Sequence, residues 1–503
     1  MMTEKNPSQI PSIIDTVKNL LGNGKLHDVK KFIVQLEVLS KQTTKTSLAF
    51  QAYTLIGKYY RQIRNYDASA SHFRNALHLV HSVDQVTFAS EIIDTYLNYI
   101  ALETEYSQLK KARTAVAKIL DWLDKNRPTD HLAYGLIYRS FGKIFFSDDD
   151  YQSGINQTEK AIHYFTLVYP QTHPIVIDLI DIIAKAYIKN ENYEKAQILY
   201  SDLVKQFKKD NNPIEVAHTL IKIGEVYYYT DLKQARSAIM KALKIFEESN
   251  DVSHEDKIKA LMMLGEIDEN MANYPRAVNY YKKALEHLLF TKQNPHPILV
   301  FTYARIGMLL IKLDKLVAAK DYLEEGLELS DRFPNIRMQF LYGLGKIYSH
   351  ERQFNDALKM YQQFLRGLES TGHKQSKSYG DTLQAIAFNY LEQQNFEHAH
   401  LYYLSALQTY DKLTSTSCRE EKGLTYMRLG YCCEHIEEKD MQQAEDYYEK
   451  GFRILKKVKD FGIVEEALAA MIEFYSRTNQ RKKRYTYEDM LVKIQINQNI
   501  HEN

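Results

Sequence analysis

The residue types that most often carry catalysis or bind metals are present in this sequence, but their spacing matches no common chemical site. Cys432 and Cys433 are adjacent, whereas redox and zinc sites typically separate two cysteines by two residues. His398 and His400 stand two positions apart on a predicted helix, so their rings point in different directions. The sequence has no Gly-rich phosphate loop, no nucleophile elbow and no His-Glu-x-x-His motif. We therefore predict that the protein is not an enzyme and has no catalytic residue, no metal and no cofactor.

The charged residues of the 503-residue chain are balanced. Lys and Arg number 65 against 64 Asp and Glu, which gives a formal charge of +1. Such a balance argues against a protein that binds nucleic acid or an anionic membrane through bulk charge. The basic cluster Arg481–Arg484 fits either a nucleic-acid or targeting patch or a solvated helix turn, and we favour the second.

The composition also indicates a compartment. Three cysteines, Cys418, Cys432 and Cys433, cannot cross-link a chain of this size and are typical of a reducing cytoplasm. The first residues show no apolar segment of a signal peptide, and no apolar run approaches the ~18 residues that span a bilayer. We predict a cytoplasmic protein that does not bind a membrane.

Tyrosine is the unusual component, with 38 Tyr against a single Trp, and it recurs within a repeated pattern. Each unit has a small residue, an aromatic three positions later, and another aromatic after a polar turn, as in Ile56–Leu77 and Leu264–Leu285. The mean spacing is about 41 residues. One unit, Tyr227–Leu243, loses one residue at the turn, and another, Cys432–Phe452, gains about two. The small positions are Gly57, Gly142, Ala184, Gly224, Gly265, Gly307, Gly345, Ala387 and Gly430, with Leu97 in a degenerate unit.

This pattern resembles the tetratricopeptide repeat, in a long-helix variety similar to the repeats of kinesin light chains and of Rap-type peptide receptors. The resemblance implies an all-α fold, a right-handed α-solenoid of about twelve antiparallel helix pairs, in which most tyrosines are core. We expect a disordered N-terminus at 1–9, a capping helix pair at 10–45, ten repeats at 46–458, a second capping pair at 459–497 and a disordered tail at 498–503.

The resemblance also implies a binding surface, because in this family the first helix of each pair lines a concave wall. Its exposed positions lie one, four and five residues after the small residue and three before it. Applied to this chain, the rule gives as candidate peptide- or protein-binding residues Lys58, Arg61, Arg139, Lys143, Lys185, Lys189, Glu225, Tyr228, Tyr229, Glu266, Asn270, Tyr342 and Lys346. Further wall positions are Glu269, His350, Glu392, Glu434 and His435.

Two functions follow from the resemblance. The first is a scaffold or adaptor that binds a peptide or protein partner in the concave groove, without enzymatic activity. The second is a peptide-responsive regulator of the Rap/PlcR type that lacks its own DNA-binding domain. The carboxylate clamp known in the family is not expected, because no Asn partner accompanies Lys58, Lys143 or Lys185.

Overall fold

Every regular element in the described part of the chain is helical. The computed structural model describes residues 10–249, 252–291, 296–413, 418–458 and 460–501, with side chains to 496 in the last segment. These ranges contain 24 α-helices, one short 3-10 helix and no strand. The prediction of an all-α chain of twelve helix pairs is therefore confirmed.

The chain divides into two compact units, residues 1–251 and 252–503. Each unit contains six consecutive helix pairs, in which the odd-numbered helix comes first (the A helix) and the even-numbered helix second (the B helix). The first unit comprises α1 (Ile10–Gly22), α2 (Leu26–Gln42), α3 (Thr46–Gln62), α4 (Tyr66–Leu79), α5 (Ala89–Glu105), α6 (Leu109–Asn126), α7 (His131–Phe146), α8 (Tyr151–Thr166), α9 (Pro174–Lys189), α10 (Tyr193–Lys209), α11 (Pro213–Tyr227) and α12 (Leu232–Glu248).

The second unit repeats this arrangement. It comprises α13 (His254–Asn270), α14 (Tyr274–Thr291), α15 (Pro297–Lys312), α16 (Leu316–Glu328), α17 (Pro334–His350), α18 (Phe354–Ser370), α19 (Lys377–Glu392), α20 (Phe396–Asp411), α21 (Arg419–His435), α22 (Met441–Leu455), α23 (Phe461–Arg477) and α24 (Arg481–His501). Helix α24 thus includes part of the tail expected at 498–503, and the N-terminal segment expected at 1–9 lies outside the described residues.

The A helix of most pairs ends in the same turn, which fixes the register of the repeat. One residue adopts the left-handed conformation, and the next N–H binds the carbonyl five positions back, as between Asn65 and Tyr60 at 2.8 Å. Asn65 also caps the following helix through Ala68. The left-handed residues, with φ between 55° and 68°, are Gly24, Arg64, Ser107, Asp149, Glu191, Ala272, Asp314, Arg352, Gln394 and Asn479.

This turn corrects the alignment of the degenerate unit. In the regular repeats, the left-handed residue follows the small position by seven residues, and Ser107 therefore assigns that position to Ile100 rather than Leu97. Both residues are apolar, so the sequence pattern alone could not distinguish them. The two irregular turns are confirmed: relative to the other repeats, α12 begins one residue early and α22 two residues late.

The small residue allows the A and B helices of a pair to approach closely. A Cβ added at Gly57 would lie 2.8 Å from the Phe73 ring, and one at Gly345 would lie 2.7 Å from the Tyr361 ring. Distances this short exclude an added methyl group unless the facing ring moves. The facing rings are buried, as are those of Tyr200, Tyr281, Tyr403 and Tyr448 on other B helices, which confirms the structural role expected for these tyrosines.

Within the described ranges, no helix is both long enough and apolar enough to cross a bilayer.

We predict that Gly345→Ala will destabilise the protein by about 1–3 kcal/mol, because the new methyl group would overlap the buried Tyr361 ring. Gly22→Ala is the control, since no atom lies within 4 Å of the added Cβ, and its stability should stay the same or rise slightly. Urea unfolding followed by circular dichroism measures both. Equal stability of the two variants would contradict close packing at the small position.

Candidate functional site

The candidate residues lie on the A helices, except Tyr228 and Tyr229, which directly follow α11. We call the exposed surface of the A helices within each unit the A face. Several successive A helices contact one another directly: α1 with α3, α3 with α5, α5 with α7, α15 with α17, and α19 with α21. Nine of the thirteen candidates belong to the first unit and four to the second, so each unit presents its own set.

Two of the basic candidates form ion pairs between neighbouring A helices. Lys58 on α3 lies 2.5 Å from Asp94 on α5, and Arg61 binds both oxygens of Glu105, at 2.5 and 3.2 Å. The hydrogen bond from Arg61 holds the pKa of the Glu105 carboxyl below its usual value. These cations therefore stabilise the contact between α3 and α5, and a ligand would have to compete for them.

Lys185 on α9 belongs to a local cluster around one half-buried carboxylate. Asp181 accepts from Lys185 at 2.7 Å, from Lys222 at 2.8 Å and from Tyr200 at 2.8 Å. Burial alone would raise the pKa of Asp181, but the hydrogen bonds from the two lysines and the tyrosine outweigh it and the pKa is lowered. Asp181 thus holds Lys185 against its own helix, α9, and also joins α9 to Lys222 of α11.

Arg139 and Lys143 are two further basic candidates, both on α7. Both are exposed on α7, four residues apart and therefore on one side of the helix. Neither makes an ion pair with any described residue. Lys189, by contrast, donates to the Tyr151 hydroxyl at 3.1 Å.

The acidic and aromatic candidates of the first unit lie at its last A helix. Tyr229 is 62% exposed and stacks on Tyr193 at 5.7 Å between ring centroids, with Tyr228 edge-on at 5.8 Å. Glu225 precedes them on α11 and is partly buried. This end of the unit offers flat aromatic surface.

In the second unit, the candidates lie on α13 and α17. Glu266 and Asn270 are exposed on α13, and Lys346 is exposed on α17. The Lys346 ammonium lies 5.0 Å from the centre of the Tyr342 ring, a cation–π contact.

The A face of the second unit contains a cavity of about 810 Å³, which lies within the roughly 300–1,000 Å³ typical of ligand-binding pockets. We call it the A-face cavity. It lies along α19, α21 and α23, and its wall includes Glu392 and His435, two of the further wall positions. Arg428, Tyr431, Phe396 and Met427 also line it.

Sequence reasoning missed most of the A-face cavity. Tyr431 and Met427 satisfy the spacing rule, one residue after and three before Gly430, and could have been found from it. Arg428 and Phe396 lie outside the rule, because they reach the cavity from the flank of α21 and from the start of α20.

Glu434 was expected on the exposed wall but is only 4% exposed. Its carboxylate accepts from Tyr448 at 2.6 Å and from Arg477 at 3.0 and 3.1 Å. The spacing rule gives the direction of a side chain relative to its own helix, and here α23 supplies an arginine that covers it. Glu434 therefore joins α21 to α23.

The adjacent cysteines Cys432 and Cys433 are both buried. Burial raises the pKa of the Cys433 thiol to about 11 and that of Cys432 to about 12, so both stay protonated at neutral pH. No group of three or more His, Cys, Asp or Glu placed to hold a metal occurs among the described residues.

Two of the four basic residues at the start of α24 form ion pairs with acidic residues of α22 and α24. Lys483 pairs with Glu445 on α22 and lies 5.3 Å from the centre of the Tyr475 ring, and Arg484 pairs with Glu488 at 3.2 Å. These contacts favour the interpretation of the cluster as a solvated helix turn.

Comparison with known proteins supports the repeat architecture. The family model of the soluble NSF attachment protein, SNAP, matches residues 178–369, less than half of the chain. Protein KINESIN LIGHT CHAIN-RELATED 1 of Arabidopsis thaliana is 23% identical over 262 residues, a match that covers 50% of this chain and 41% of that protein. The chain therefore spans about two fifths of that relative's length. The predicted resemblance to kinesin light chain repeats is confirmed by this match.

Several solved structures are similar at low sequence identity. Aspartyl phosphate phosphatase F from Bacillus subtilis gives a TM-score of 0.42 at 12% identity and covers 80% of this chain and 94% of its own. The apo form of the quorum sensor NprR from B. thuringiensis gives 0.37 at 14%, with 80% and 99% covered. BtubC (BKLC) from P. vanneervenii gives 0.38 at 16%, with 46% and 94% covered.

We predict that Arg477→Met will destabilise the protein by about 2–4 kcal/mol, because the buried Glu434 carboxylate would lose its cation. The figure allows for the 40% exposure of the arginine. Arg481→Met, at an exposed position four residues later, is the control and should change stability by less than about 0.5 kcal/mol. Urea unfolding measures both, and equal losses would show that the pair does not stabilise the α21–α23 contact.

We also predict that Asp181→Asn will lower the free energy of unfolding by about 1–3 kcal/mol at pH 7, because it removes the negative charge that Lys185 and Lys222 bind. The folded pKa of Asp181 is lowered, so its contribution is fully present above the ordinary value of about 3.9 and is lost as pH falls through the folded pKa. The gap between wild type and variant in chemical unfolding should therefore shrink from pH 6 to pH 3. A gap that stays constant would contradict the ionised cluster.

Proposed function

We propose that the protein is a non-enzymatic scaffold or adaptor that binds a segment of a peptide or protein partner on its A face. The observation that carries this proposal is the A-face cavity, in which aromatic rings and apolar side chains converge with Arg428, the exposed Glu466, and Arg352 paired with Glu392 at 3.0 Å. A pocket that combines apolar area with a few oriented polar groups is the usual form of a binding site.

The lining of the A-face cavity suggests the chemistry of the bound segment. The ring of Tyr431 stacks on His435 at 4.2 Å, and Phe396 packs against both. Stacked rings of this kind offer rigid apolar area at a low cost in conformational entropy. An apolar or aromatic side chain of the partner fits this part of the cavity.

Arg428 supplies a positive charge that an acidic group of the ligand can pair with. It is exposed on α21, its guanidinium lies 5.5 Å from the centre of the Phe388 ring, and it has no ion pair within the described ranges. A planar guanidinium held over a ring is well placed to bind a carboxylate in bidentate fashion. The proposed ligand thus carries an acidic group, a side-chain carboxylate or a chain terminus, next to its apolar residue.

The first unit offers a second, weaker candidate on its own A face. Arg139 and Lys143 add two accessible cations, whereas Lys58, Arg61 and Lys185 are engaged with acidic side chains. We propose that Arg139 and Lys143, rather than the whole predicted basic set, contact a ligand there.

The peptide-responsive regulator is distinguished from a scaffold by its response to the ligand. A regulator changes conformation when the peptide binds, because the ligand has different affinities for two states of the protein. A scaffold binds without such a change. Small-angle scattering with and without a bound peptide separates the two.

We predict that panning a random 12-residue peptide library against the full chain will select peptides that contain an acidic group beside an apolar residue. Arg428→Glu should lower the affinity of the protein for the selected peptides by about tenfold or more, since it replaces the attracting charge by a repelling one. Arg366→Glu, an equivalent reversal at an exposed position on the B helix α18, is the control and should leave affinity unchanged. Fluorescence polarisation measures both.

Two results would contradict the proposal. One is a library that yields no binder to the folded protein. The other is a set of binders whose affinity is the same for Arg428→Glu as for wild type, which would place the binding site elsewhere.

A further inference from the structure

A second large opening lies in the first unit on the side away from the A face. It runs between the B helices α4 and α6 and has a volume of about 840 Å³. We call it the B-face groove. One side is formed by residues of α4 at helical spacing, such as Arg74 and His78, and the other by residues of α6, such as Lys111, Thr114 and Lys118.

The B-face groove is strongly basic, although the chain as a whole carries a formal charge of only +1. Its one acidic lining residue, Asp121, is paired with Lys125 at 2.7 Å. The other cations are exposed and form no ion pair with any residue in the described part of the chain. The cationic lining residues are Arg74, Lys110, Lys111, Lys118 and Lys125, with His78 and His81 beside them.

Aromatic side chains form the floor of the B-face groove. Tyr96 and Tyr99 come from α5 and Trp122 from α6, and all three are less than 9% exposed. The indole N–H of Trp122 donates to Gln85 at 2.6 Å, which fixes the ring in place. The groove thus combines a rigid apolar floor with a cationic rim.

The charge of the B-face groove is not a consequence of the fold. The second unit has a groove of the same construction between the B helices α14 and α16, with Tyr303 of α15 in its lining. That groove measures about 420 Å³ and is lined by three acidic residues, Glu286, Asp321 and Glu325, and by one lysine. The basic character therefore comes from the side chains of α4 and α6.

We propose that the B-face groove binds an acidic segment of a partner protein, with an apolar side chain of that segment against Trp122 and its carboxylates on the surrounding lysines and arginine. Charge complementarity selects an acidic partner, and the aromatic floor selects one that also presents apolar residues. The residues that line this groove are separate from those that line the A-face cavity.

The position of Trp122 gives a direct measurement, because it is the only tryptophan of the chain. The probe is a synthetic 12-residue peptide, free of tryptophan, in which Glu alternates with Leu and Phe, and the control peptide replaces each Glu by Gln. With the full-length protein at low salt, the Glu peptide should change the Trp122 emission in a saturable way. The change should weaken as salt rises, and the Gln peptide should have little effect.

Two variants separate charge from shape. The double variant Lys111→Glu/Lys118→Glu should lower the affinity for the Glu peptide by about tenfold or more. The control double variant Lys208→Glu/Lys209→Glu, an equal charge reversal at exposed positions on the B helix α10, should leave that affinity unchanged. Thr114→Trp fills the groove without altering its charge and should also reduce affinity, measured by polarisation of a labelled probe. Circular dichroism of each variant confirms that it is folded.

Three outcomes would overturn the proposal. One is a saturable signal equally strong with the Gln peptide. Another is binding of the Glu peptide that both groove variants leave unchanged. The third is a groove that binds a single-stranded RNA oligonucleotide and not the acidic peptide, which would assign it to polyanions. Because the A-face variant Arg428→Glu leaves this groove intact, failure here is distinguishable from failure of the proposed A-face function.

Discussion

The close approach of two helices through a small residue is the constraint on which the rest of the structure depends. Where Gly345 faces Tyr361, or Gly57 faces Phe73, the backbone of the A helix lies against a ring of the B helix with no room for a methyl group. The left-handed turn that follows at a fixed distance sets the direction in which the B helix returns. Together these two features define the positions whose side chains are left for the A face.

Much of this arrangement can be predicted from the sequence, because the small and aromatic residues that produce it are local. The degenerate unit shows the limit: with Leu97 and Ile100 both large and apolar, only the turn at Ser107 decides the register. The ion-pair partners of the charged A-face residues, by contrast, cannot be predicted from the repeat pattern. Arg61 meets Glu105 and Glu434 meets Arg477 across neighbouring repeats, at separations of 44 and 43 residues, and the repeat pattern gives no information on such pairs.

These ion pairs reduce the number of A-face charges that are available to a ligand. A cation that lies on the predicted wall is available to a ligand only if the next A helix does not supply its counter-ion, as α5 does for Lys58 and Arg61. The same logic applies to acids, since Arg477 engages Glu434. Arg139 and Arg428 are exposed positions at which no ion pair with a neighbouring repeat occurs among the described residues.

The openings between B helices also result from the packing of the helix pairs. Several successive A helices, such as α3 and α5 or α15 and α17, contact each other directly, and openings occur between the B helices α4 and α6 in the first unit and α14 and α16 in the second. The cations that line the first opening and the acids that line the second are exposed, so their charge can vary without disturbing the small-residue packing. A repeat of this kind can consequently acquire a basic groove in one unit and an acidic one in the other while its backbone stays the same.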